Sequence, residues 1–255
     1  MSNMKIAAQL YTVREFCRDE AGIIASLEKI AKIGYKYVQI SGVADIDPHR
    51  MRELMDANGL KCVVTHYGFE RYWNELDAMI EKHKILGSPN AGIGGFFAED
   101  REDVKYYLEF AEKAEFVAQK FKENGMGFVY HNHAHEFIHF DGKTALELLY
   151  EKAPTMQTEL DLHWVVAGGG DPVQWIEKYA GRMNVIHYKD FGVNGKGERL
   201  YREIGEGNLN WTAINAAAEK AGVEYCIVEQ DDTYDRDPFE SLAISYKNLK
   251  AMGLQ

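Results

Sequence analysis

Short apolar runs alternate with segments of helical periodicity along the whole chain, and this alternation limits the possible folds more than any other feature. A strand that is followed by a helix and another strand pairs in parallel with its successor through a right-handed crossover. The sequence predicts eight such units. The predicted strands cover residues 6–11, 37–40, 62–66, 91–96, 127–130, 157–165, 185–190 and 225–229, and the predicted helices cover 21–33, 47–59, 74–86, 101–124, 144–152, 171–179, 211–220 and 238–252.

Eight units in 255 residues predict an α/β fold, a single-domain (β/α)8 TIM barrel over residues 1–255. A doubly wound sheet is the alternative, but no glycine-rich dinucleotide fingerprint follows the first strand. In a barrel of this kind the active site lies at the C-terminal ends of the strands. Polar residues at those ends are therefore the candidates for function.

Composition narrows the possible partners. The net charge of −11 argues against nucleic acid or an anionic membrane surface, since both attract positive charge. Three widely spaced cysteines indicate reduced structural thiols rather than a disulfide framework. The chain lacks a signal-peptide pattern and an apolar run long enough to span a membrane, which predicts a cytoplasmic protein.

Histidines, carboxylates and a lysine stand where several predicted strands end. These groups bind divalent metals and carry protons. Because side chains two apart on a strand share a face, we expect Glu159, Asp161 and His163 to point the same way. The strand-end groups are His66, then His131-Asn132-His133 with Glu136, then Glu159, Asp161 and His163, then His187 and Lys189, and finally Glu229 and Asp231.

The order of these motifs resembles the xylose-isomerase-like TIM barrel superfamily. That group includes sugar phosphate isomerases and epimerases, inosose dehydratases and endonuclease-IV-like proteins. The resemblance spans the chain and is sharpest in the C-terminal half. It is carried by Tyr130-His131-Asn132-His133 with Glu136-Phe137, by Glu159-Leu160-Asp161 with Trp164 and Gly168-Gly169-Gly170-Asp171-Pro172, by His187-Tyr188-Lys189-Asp190, by Gly205-Glu206-Gly207-Asn208-Leu209-Asn210-Trp211, and by Val228-Glu229.

The resemblance implies one divalent metal ion at the barrel mouth, held by groups from four strands. Asp161, His187 and Glu229 match three of the ligand positions. For the fourth, on the fifth strand, either Glu136 or His131 is open, and we favour Glu136. A set of oxygens with one histidine suits Mn²⁺, Co²⁺, Mg²⁺ or Zn²⁺.

Such a site implies an isomerase or epimerase that acts on a sugar, keto-sugar or cyclitol through a metal-stabilised enediolate, with Glu136 and Glu229 as the proton carriers. The alternatives are a lyase or dehydratase on a similar substrate, and a barrel that binds a ligand without turnover. Endonuclease activity is disfavoured because the chain is acidic. A homo-oligomer is possible. The expected substrate contacts are His66, His131, His133, His163, Trp164 and Lys189.

Two glycine-containing segments lie near the seventh strand. Gly205-Glu206-Gly207 could suggest phosphate binding, but the neighbouring Glu203 would repel a phosphate, so we interpret the segment as a turn before the next helix. Residues 192–199 resemble either a mobile loop over the substrate or an ordinary solvated connection.

Overall fold

Eight parallel strands form a nearly closed barrel surrounded by helices in the computed structural model, which describes residues 2–255. The predicted single-domain (β/α)8 barrel is confirmed. The barrel strands are β1 (Lys5–Gln9), β2 (Tyr37–Ile40), β3 (Lys61–Thr65), β4 (Asn90–Ile93), β5 (Gly127–His131), β8 (Gln157–Asp161), β9 (Val185–Tyr188) and β12 (Tyr225–Val228). The helices are α1 (Glu20–Ile33), α2 (Pro48–Ala57), α3 (Phe69–Asn74), α4 (Leu76–Leu86), α5 (Val104–Glu123), α6 (Ala145–Lys152), α7 (Leu162–Ala167), α8 (Pro172–Lys178), α9 (Trp211–Ala221) and α10 (Pro238–Ala251).

The barrel closes through its first and last strands. Strand β1 pairs in parallel with β2 on one side and with β12 on the other, where Lys5 is in register with Tyr225. Between β3 and β4 the contact is a single parallel bridge from His66 to Gly92. All other neighbours follow the chain order, so the C-terminal ends of the strands meet at one mouth.

Two antiparallel hairpins lie outside the barrel sheet, and the sequence did not predict them. Strands β6 (His139–Phe140) and β7 (Lys143–Thr144) form one, and β10 (Asp190–Val193) and β11 (Arg199–Arg202) form the other. The second hairpin replaces the loop expected over 192–199.

The predicted end of the sixth barrel strand at residue 165 is wrong. Strand β8 stops at Asp161 and helix α7 begins at once. The side chain of Asp161 accepts a hydrogen bond from the backbone N–H of Trp164, which caps the helix and turns the chain out of the sheet. His163 therefore does not continue the strand face of Glu159 and Asp161.

Three helices begin with the same Asp-Pro pair. In each, the aspartate side chain accepts a backbone N–H of the first turn, and the proline takes a position whose own N–H would be unpaired. The helices are α2, α8 and α10, which begin after Asp47, Asp171 and Asp237.

The apolar core has two parts. The larger cluster joins the outward faces of the strands to the helices, and the smaller one lies on the opposite, inward face. Inward residues of the smaller cluster stand two positions before polar residues at the strand ends, so an apolar layer supports the mouth. Val129, Val185 and Ile227 precede His131, His187 and Glu229 in this way.

Cys17, Cys62 and Cys226 are buried and free, which confirms the predicted structural thiols. None of the helices in residues 2–255 combines the length and apolar character needed to cross a membrane.

Candidate active site

Four buried metal-binding groups meet at the barrel mouth, and we call them the ligand cluster: His131, Asp161, His187 and Glu229. Their potential ligand atoms all lie within 4.8 Å of one another. His131 Nε2 is 3.1 Å from Asp161 Oδ2, and His187 Nδ1 is 3.0 Å from Glu229 Oε2. Each residue comes from the end of a different strand, namely β5, β8, β9 and the position after β12. The structure thus brings together Asp161, His187 and Glu229, as the sequence led us to expect.

Glu136 lies outside the ligand cluster. It belongs to a short 3-10 turn at His135–Phe137, and its carboxylate accepts hydrogen bonds from the Tyr130 hydroxyl at 2.6 Å and the His133 backbone N–H at 2.8 Å. The turn folds the glutamate back on the end of its own strand. His131, which stands on the strand itself, takes the position among the other three groups.

Burial raises the pKa of Glu136, although His135 and the hydroxyl of Tyr130 act in the opposite direction. This glutamate is completely buried, and both of its oxygens have protein partners. The arrangement makes Glu136 a support for the segment that carries His133.

Lys189 places a buried ammonium against the carboxylates of the mouth. Its Nζ lies 2.9 Å from Glu229 Oε2, 2.6 Å from Asp231 Oδ2 and 3.4 Å from Asp161 Oδ2. Burial would lower the pKa of Lys189, but the three carboxylates outweigh it and hold the pKa well above the ordinary value. The site therefore contains a fixed positive charge beside the ligand cluster.

The carboxylates of the ligand cluster are held in their ionised form. Burial alone would raise the pKa of Asp161 and of Glu229, but the ammonium of Lys189 and the neighbouring imidazoles hold both pKa values well below the usual range. Asp231 differs, because burial and the charge of Glu229 raise its pKa despite the contact with Lys189. Two strongly ionised oxygens and two imidazoles are a donor set that divalent metals accept.

Beneath the ligand cluster lies a second buried group, the polar triplet Gln39, His66 and Glu159. His66 Nε2 contacts Glu159 Oε2 directly, and Gln39 Nε2 donates to the same oxygen at 3.3 Å. Gln39 Oε1 is 2.7 Å from His187 Nε2, which links the triplet to the ligand cluster. Burial lowers the pKa of His66.

Sequence reasoning missed Gln39 entirely, and it placed His66 among the substrate contacts. The available signal was a buried amide within the apolar run Tyr37–Ile40, where a side chain without a polar partner would be costly. In the structure His66 bonds to Glu159 rather than standing free at the mouth.

The turn at the start of α7 sets the positions of His163 and Trp164. His163 Nδ1 is 2.9 Å from the carbonyl oxygen of Asp190, so this nitrogen carries the hydrogen, and Nε2 has no hydrogen-bond partner among residues 2–255. Burial lowers the pKa of His163 to about 4. Trp164 Nε1 is also buried and unpaired within the described chain.

His133 lies beside these groups, with its ring centroid 5.1 Å from that of Trp164. Its Nδ1 is buried without a hydrogen-bond partner in the described chain, and burial lowers its pKa to about 2. His135 instead contacts the carbonyl oxygen of Phe96 at 2.9 Å. On this side of the mouth the described residues offer Trp164 Nε1 as an unpaired donor, together with unpaired ring nitrogens on His133 and His163.

The β10–β11 hairpin reaches over this side of the mouth. The guanidinium of Arg199 lies 4.4 Å from the ring centroid of Trp164, and the ring of Tyr201 stacks on His163 with centroids 4.6 Å apart. These contacts place the hairpin against His163 and Trp164.

One buried carboxylate, that of Asp190, fastens the base of this hairpin. It accepts hydrogen bonds from the backbone N–H groups of Gly205 at 2.8 Å and Gly207 at 3.1 Å, and from Trp211 Nε1 at 2.7 Å. The N–H groups that could have held a phosphate are thus occupied by an internal carboxylate. The segment forms a turn before α9, as predicted.

Comparison with known proteins places the chain among relatives of the same architecture. The family model described as xylose isomerase-like TIM barrel matches residues 27–251. An inosose dehydratase from Lacticaseibacillus casei is 20% identical over 262 residues, covering 89% of this chain and 88% of the relative.

Solved structures of similar proteins cover nearly the full chain. A sugar phosphate isomerase/epimerase from Parabacteroides distasonis superposes with a TM-score of 0.80 at 23% identity, covering 99% of this chain and 96% of the other. A probable 3-DHS dehydratase from Bacillus anthracis superposes with a TM-score of 0.72 at 12% identity, with coverages of 97% and 99%. At these identities the likeness concerns the fold.

Proposed function

Because the chain belongs to the xylose isomerase-like TIM barrel family, we propose that it is a divalent-metal-dependent enzyme that isomerises or epimerises a sugar, keto-sugar or cyclitol. The observation that carries the proposal is the ligand cluster, in which four strand ends deliver two imidazoles and two carboxylates to one buried point. Burying ionised carboxylates is costly unless cations balance them, and the single ammonium of Lys189 faces three carboxylates here.

The ligand cluster suits a metal ion in its chemistry. His131, Asp161, His187 and Glu229 each offer one donor atom, and a mixed nitrogen and oxygen set accepts Mn²⁺, Co²⁺ or Zn²⁺. We propose His131 as the ligand from the fifth strand in place of Glu136, whose two oxygens have other partners. When bound, a divalent ion would act as a Lewis acid on a substrate carbonyl and acidify the neighbouring C–H.

Proton transfer is assigned to groups of the chain itself. We propose Glu229 as the proton carrier, because its carboxylate faces the mouth and is kept ionised by Lys189 and His187. The ammonium of Lys189 can stabilise negative charge that develops on a substrate oxygen. The role of Glu136 as a second proton carrier remains a prediction. It would require the turn at His135–Phe137 to open, and the variant Glu136→Gln tests it.

Substrate hydroxyls are proposed to bind at the polar atoms that lack protein partners. Trp164 Nε1 can donate to a hydroxyl oxygen, and His163 Nε2 can accept from a hydroxyl group. The ring of Trp164 presents an apolar face beside them, which suits a sugar ring. A cytoplasmic location and assembly into a homo-oligomer also remain predictions.

A dehydratase is the second candidate function. It is favoured by the similarity of the chain to an inosose dehydratase. The same proton abstraction beside a carbonyl leads to dehydration when a β-hydroxyl departs. The two reactions differ in whether water is lost.

The test is incubation of the Mn²⁺-loaded protein with keto-sugars and cyclitols in D₂O. Deuterium gained at the carbon next to the carbonyl, without loss of water, supports an isomerase or epimerase, whereas loss of water indicates a dehydratase. Glu229→Gln is expected to remove exchange. Glu203→Gln, which changes a buried glutamate bonded to Ser241 and Arg236, is expected to preserve it. Absence of exchange across the panel, or full exchange in Glu229→Gln, would contradict the proposal.

A further inference from the structure

The imidazole of His187 lies between two buried groups, with one ring nitrogen facing each. We propose that Glu159 and Gln39 are positioning residues that keep the hydrogen of His187 on Nε2, so that Nδ1 is the atom presented to a cation. The inference rests on the proposed function in one respect only, the identification of the ligand cluster as a metal site.

The hydrogen-bond partners of His187 Nε2 determine whether this nitrogen carries a hydrogen. Gln39 Oε1 lies 2.7 Å from His187 Nε2, and Glu159 Oε1 lies 3.2 Å from the same atom. Both oxygens can only accept, because an ionised carboxylate and an amide oxygen carry no hydrogen. The hydrogen must therefore be on Nε2, and the shorter contact shows that it points to Gln39.

The orientation of the Gln39 amide follows from the same rule. Gln39 Nε2 lies 2.8 Å from His66 Nε2 and donates to Glu159 Oε2 at 3.3 Å, so the amide oxygen is turned toward His187. A reversed amide would bring its oxygen against the carboxylate, which is unfavourable for two acceptors. Glu159 thus fixes the orientation of the Gln39 amide, and Gln39 fixes the hydrogen of His187 on Nε2.

His66 holds Glu159 in place from the other side. Its Nε2 contacts Glu159 Oε2, the oxygen that also receives Gln39, and the three residues of the polar triplet are buried or nearly so. Glu159 Oε1 is completely buried and has no hydrogen-bond partner within residues 2–255, so its charge acts on His187 across the 3.2 Å contact. These contacts keep the Glu159 carboxylate facing His187.

The opposite nitrogen is the one that faces the ligand cluster. His187 Nδ1 is 3.0 Å from Glu229 Oε2 and 3.6 Å from Asp161 Oδ2. Because the ionised Glu229 can only accept, Nδ1 also carries a hydrogen in the metal-free chain, and this is the hydrogen that a cation would displace. The neutral imidazole that remains keeps its hydrogen on Nε2 and has its lone pair on Nδ1. A metal-ligating histidine commonly donates its other N–H to a fixed acceptor, and loss of that acceptor typically weakens metal binding 10- to 100-fold.

One competing arrangement uses the same atoms. His66, Glu159 and His187 have potential ligand atoms within 4.8 Å of one another, so a second cation could in principle bind there. That arrangement requires a lone pair on His187 Nε2, which is the opposite of our inference. The two are separated by the same experiment.

The experiment combines metal titration with nitrogen spectroscopy. Mn²⁺ affinity is measured by calorimetry, and long-range ¹H–¹⁵N spectra are recorded on the metal-free and Zn²⁺-loaded full chain with labelled histidine, with His187 assigned by its loss in His187→Gln. We expect Nε2–H in both states and a metal-induced shift on Nδ1. Glu159→Gln and Gln39→Leu are expected to lose about 10- to 100-fold in Mn²⁺ affinity, while Glu203→Gln keeps the affinity of the unaltered chain.

Three results would overturn the inference: a metal-induced shift on Nε2 of His187, unchanged affinity in both Glu159→Gln and Gln39→Leu, or two bound ions of which one is lost in Glu159→Gln. If the unaltered chain binds no divalent ion, the proposed function fails separately. The metal-free spectra still decide the inference in that case, because Nε2–H must be present in the unaltered chain and diminished in Gln39→Leu.

Discussion

Asp161 performs two tasks with its two oxygens. Oδ1 accepts the backbone N–H of Trp164 at 2.9 Å and caps α7, while Oδ2 faces His131 at 3.1 Å within the ligand cluster. One residue therefore ends the strand, starts the helix and supplies a charge to the mouth.

Substitutions at Asp161 should separate these tasks. Asp161→Asn keeps an oxygen for the cap but loses the charge, so we expect at least about 100-fold weaker Mn²⁺ binding. Asp161→Ala loses the cap as well, so the metal-free protein should be less stable than Asp161→Asn by about 1–2 kcal/mol. Calorimetry and urea unfolding measure the two effects. Equal destabilisation by both substitutions would show that the cap is not independent of the charge.

His83 is a buried histidine of α4 outside the ligand cluster, and it should make the stability depend on pH. Its Nδ1 is 2.7 Å from the carbonyl oxygen of Met79, and its Nε2 is 2.7 Å from the Thr65 hydroxyl. Burial lowers its pKa to about 4 from an ordinary value of 6.5. Between these two values the unfolded chain binds the proton more readily, so the stabilisation present above pH 6.5 is lost as the pH falls toward 4.

At pH 4.5 the expected loss is about 2.5 kcal/mol, because each pH unit below 6.5 costs about 1.36 kcal/mol until the pKa of about 4 is reached. Urea unfolding of the metal-free protein at pH 7.5 and pH 4.5 measures it against His83→Gln, which cannot titrate. The stability difference between the two proteins should shrink as the pH falls. A constant difference at both pH values would exclude His83 as the source.

For individual residues, the sequence motifs predicted part of the candidate site. Asp161, His187 and Glu229 end strands, and a strand end determines where a side chain points. The choice between His131 and Glu136 depends on the 3-10 turn at His135–Phe137, which the sequence did not predict. The sequence did not predict Gln39 as a site residue because its partners, Glu159 and His187, are distant in sequence.

Among the elements, the β10–β11 hairpin and the turn before α9 form one unit around Asp190. The turn approaches so closely that a Cβ on Gly207 would collide with the Asp190 carboxylate and with the carbonyl oxygen of Phe191. Both obstacles are fixed, one by its hydrogen bonds and the other by the main chain.

Gly207→Ala should therefore destabilise the protein by about 2–3 kcal/mol, since neither obstacle can move without breaking a hydrogen bond. Gly195→Ala, at the tip of the same hairpin, is the matched control, because nothing lies within 4 Å of its added Cβ. We expect that control to change stability by no more than about 0.5 kcal/mol. Urea unfolding of both variants checks the prediction, and similar values for the two would refute the fixed contact.

Periodicity predicted the barrel elements but not the hairpin or the end of β8. The run Leu162–Ala167 is apolar and rich in β-branched residues, so it reads as a continuation of the strand, and a short apolar run cannot be assigned by periodicity alone. The decisive feature is the capping hydrogen bond of Asp161, which pairs a side chain with a backbone group three residues ahead.

For the whole molecule, the proposed metal should add to stability, because only the folded chain brings the four strand ends of the ligand cluster together. Mn²⁺ at a free concentration one hundred times its dissociation constant is expected to stabilise the fold by about 2.7 kcal/mol. For a chain of this size that corresponds to a rise in Tm of roughly 5–10 °C. Thermal unfolding with and without Mn²⁺ measures it.

Asp161→Asn is the variant in which this rise should disappear. Glu203→Gln, away from the ligand cluster, should show the full rise. An equal rise in Asp161→Asn and the unaltered chain would place the stabilising ion elsewhere on the protein.

Closure of the barrel through β1 and β12 has a consequence for synthesis on the ribosome. One edge of β1 stays open until Tyr225 and the rest of β12 have emerged and paired with it. Until then the nascent chain displays unpaired backbone groups on a strand rich in small apolar residues, and such an edge can recruit a strand from another polypeptide. Pairing of β12 with β1 therefore ends the period in which the open edge of β1 can promote aggregation.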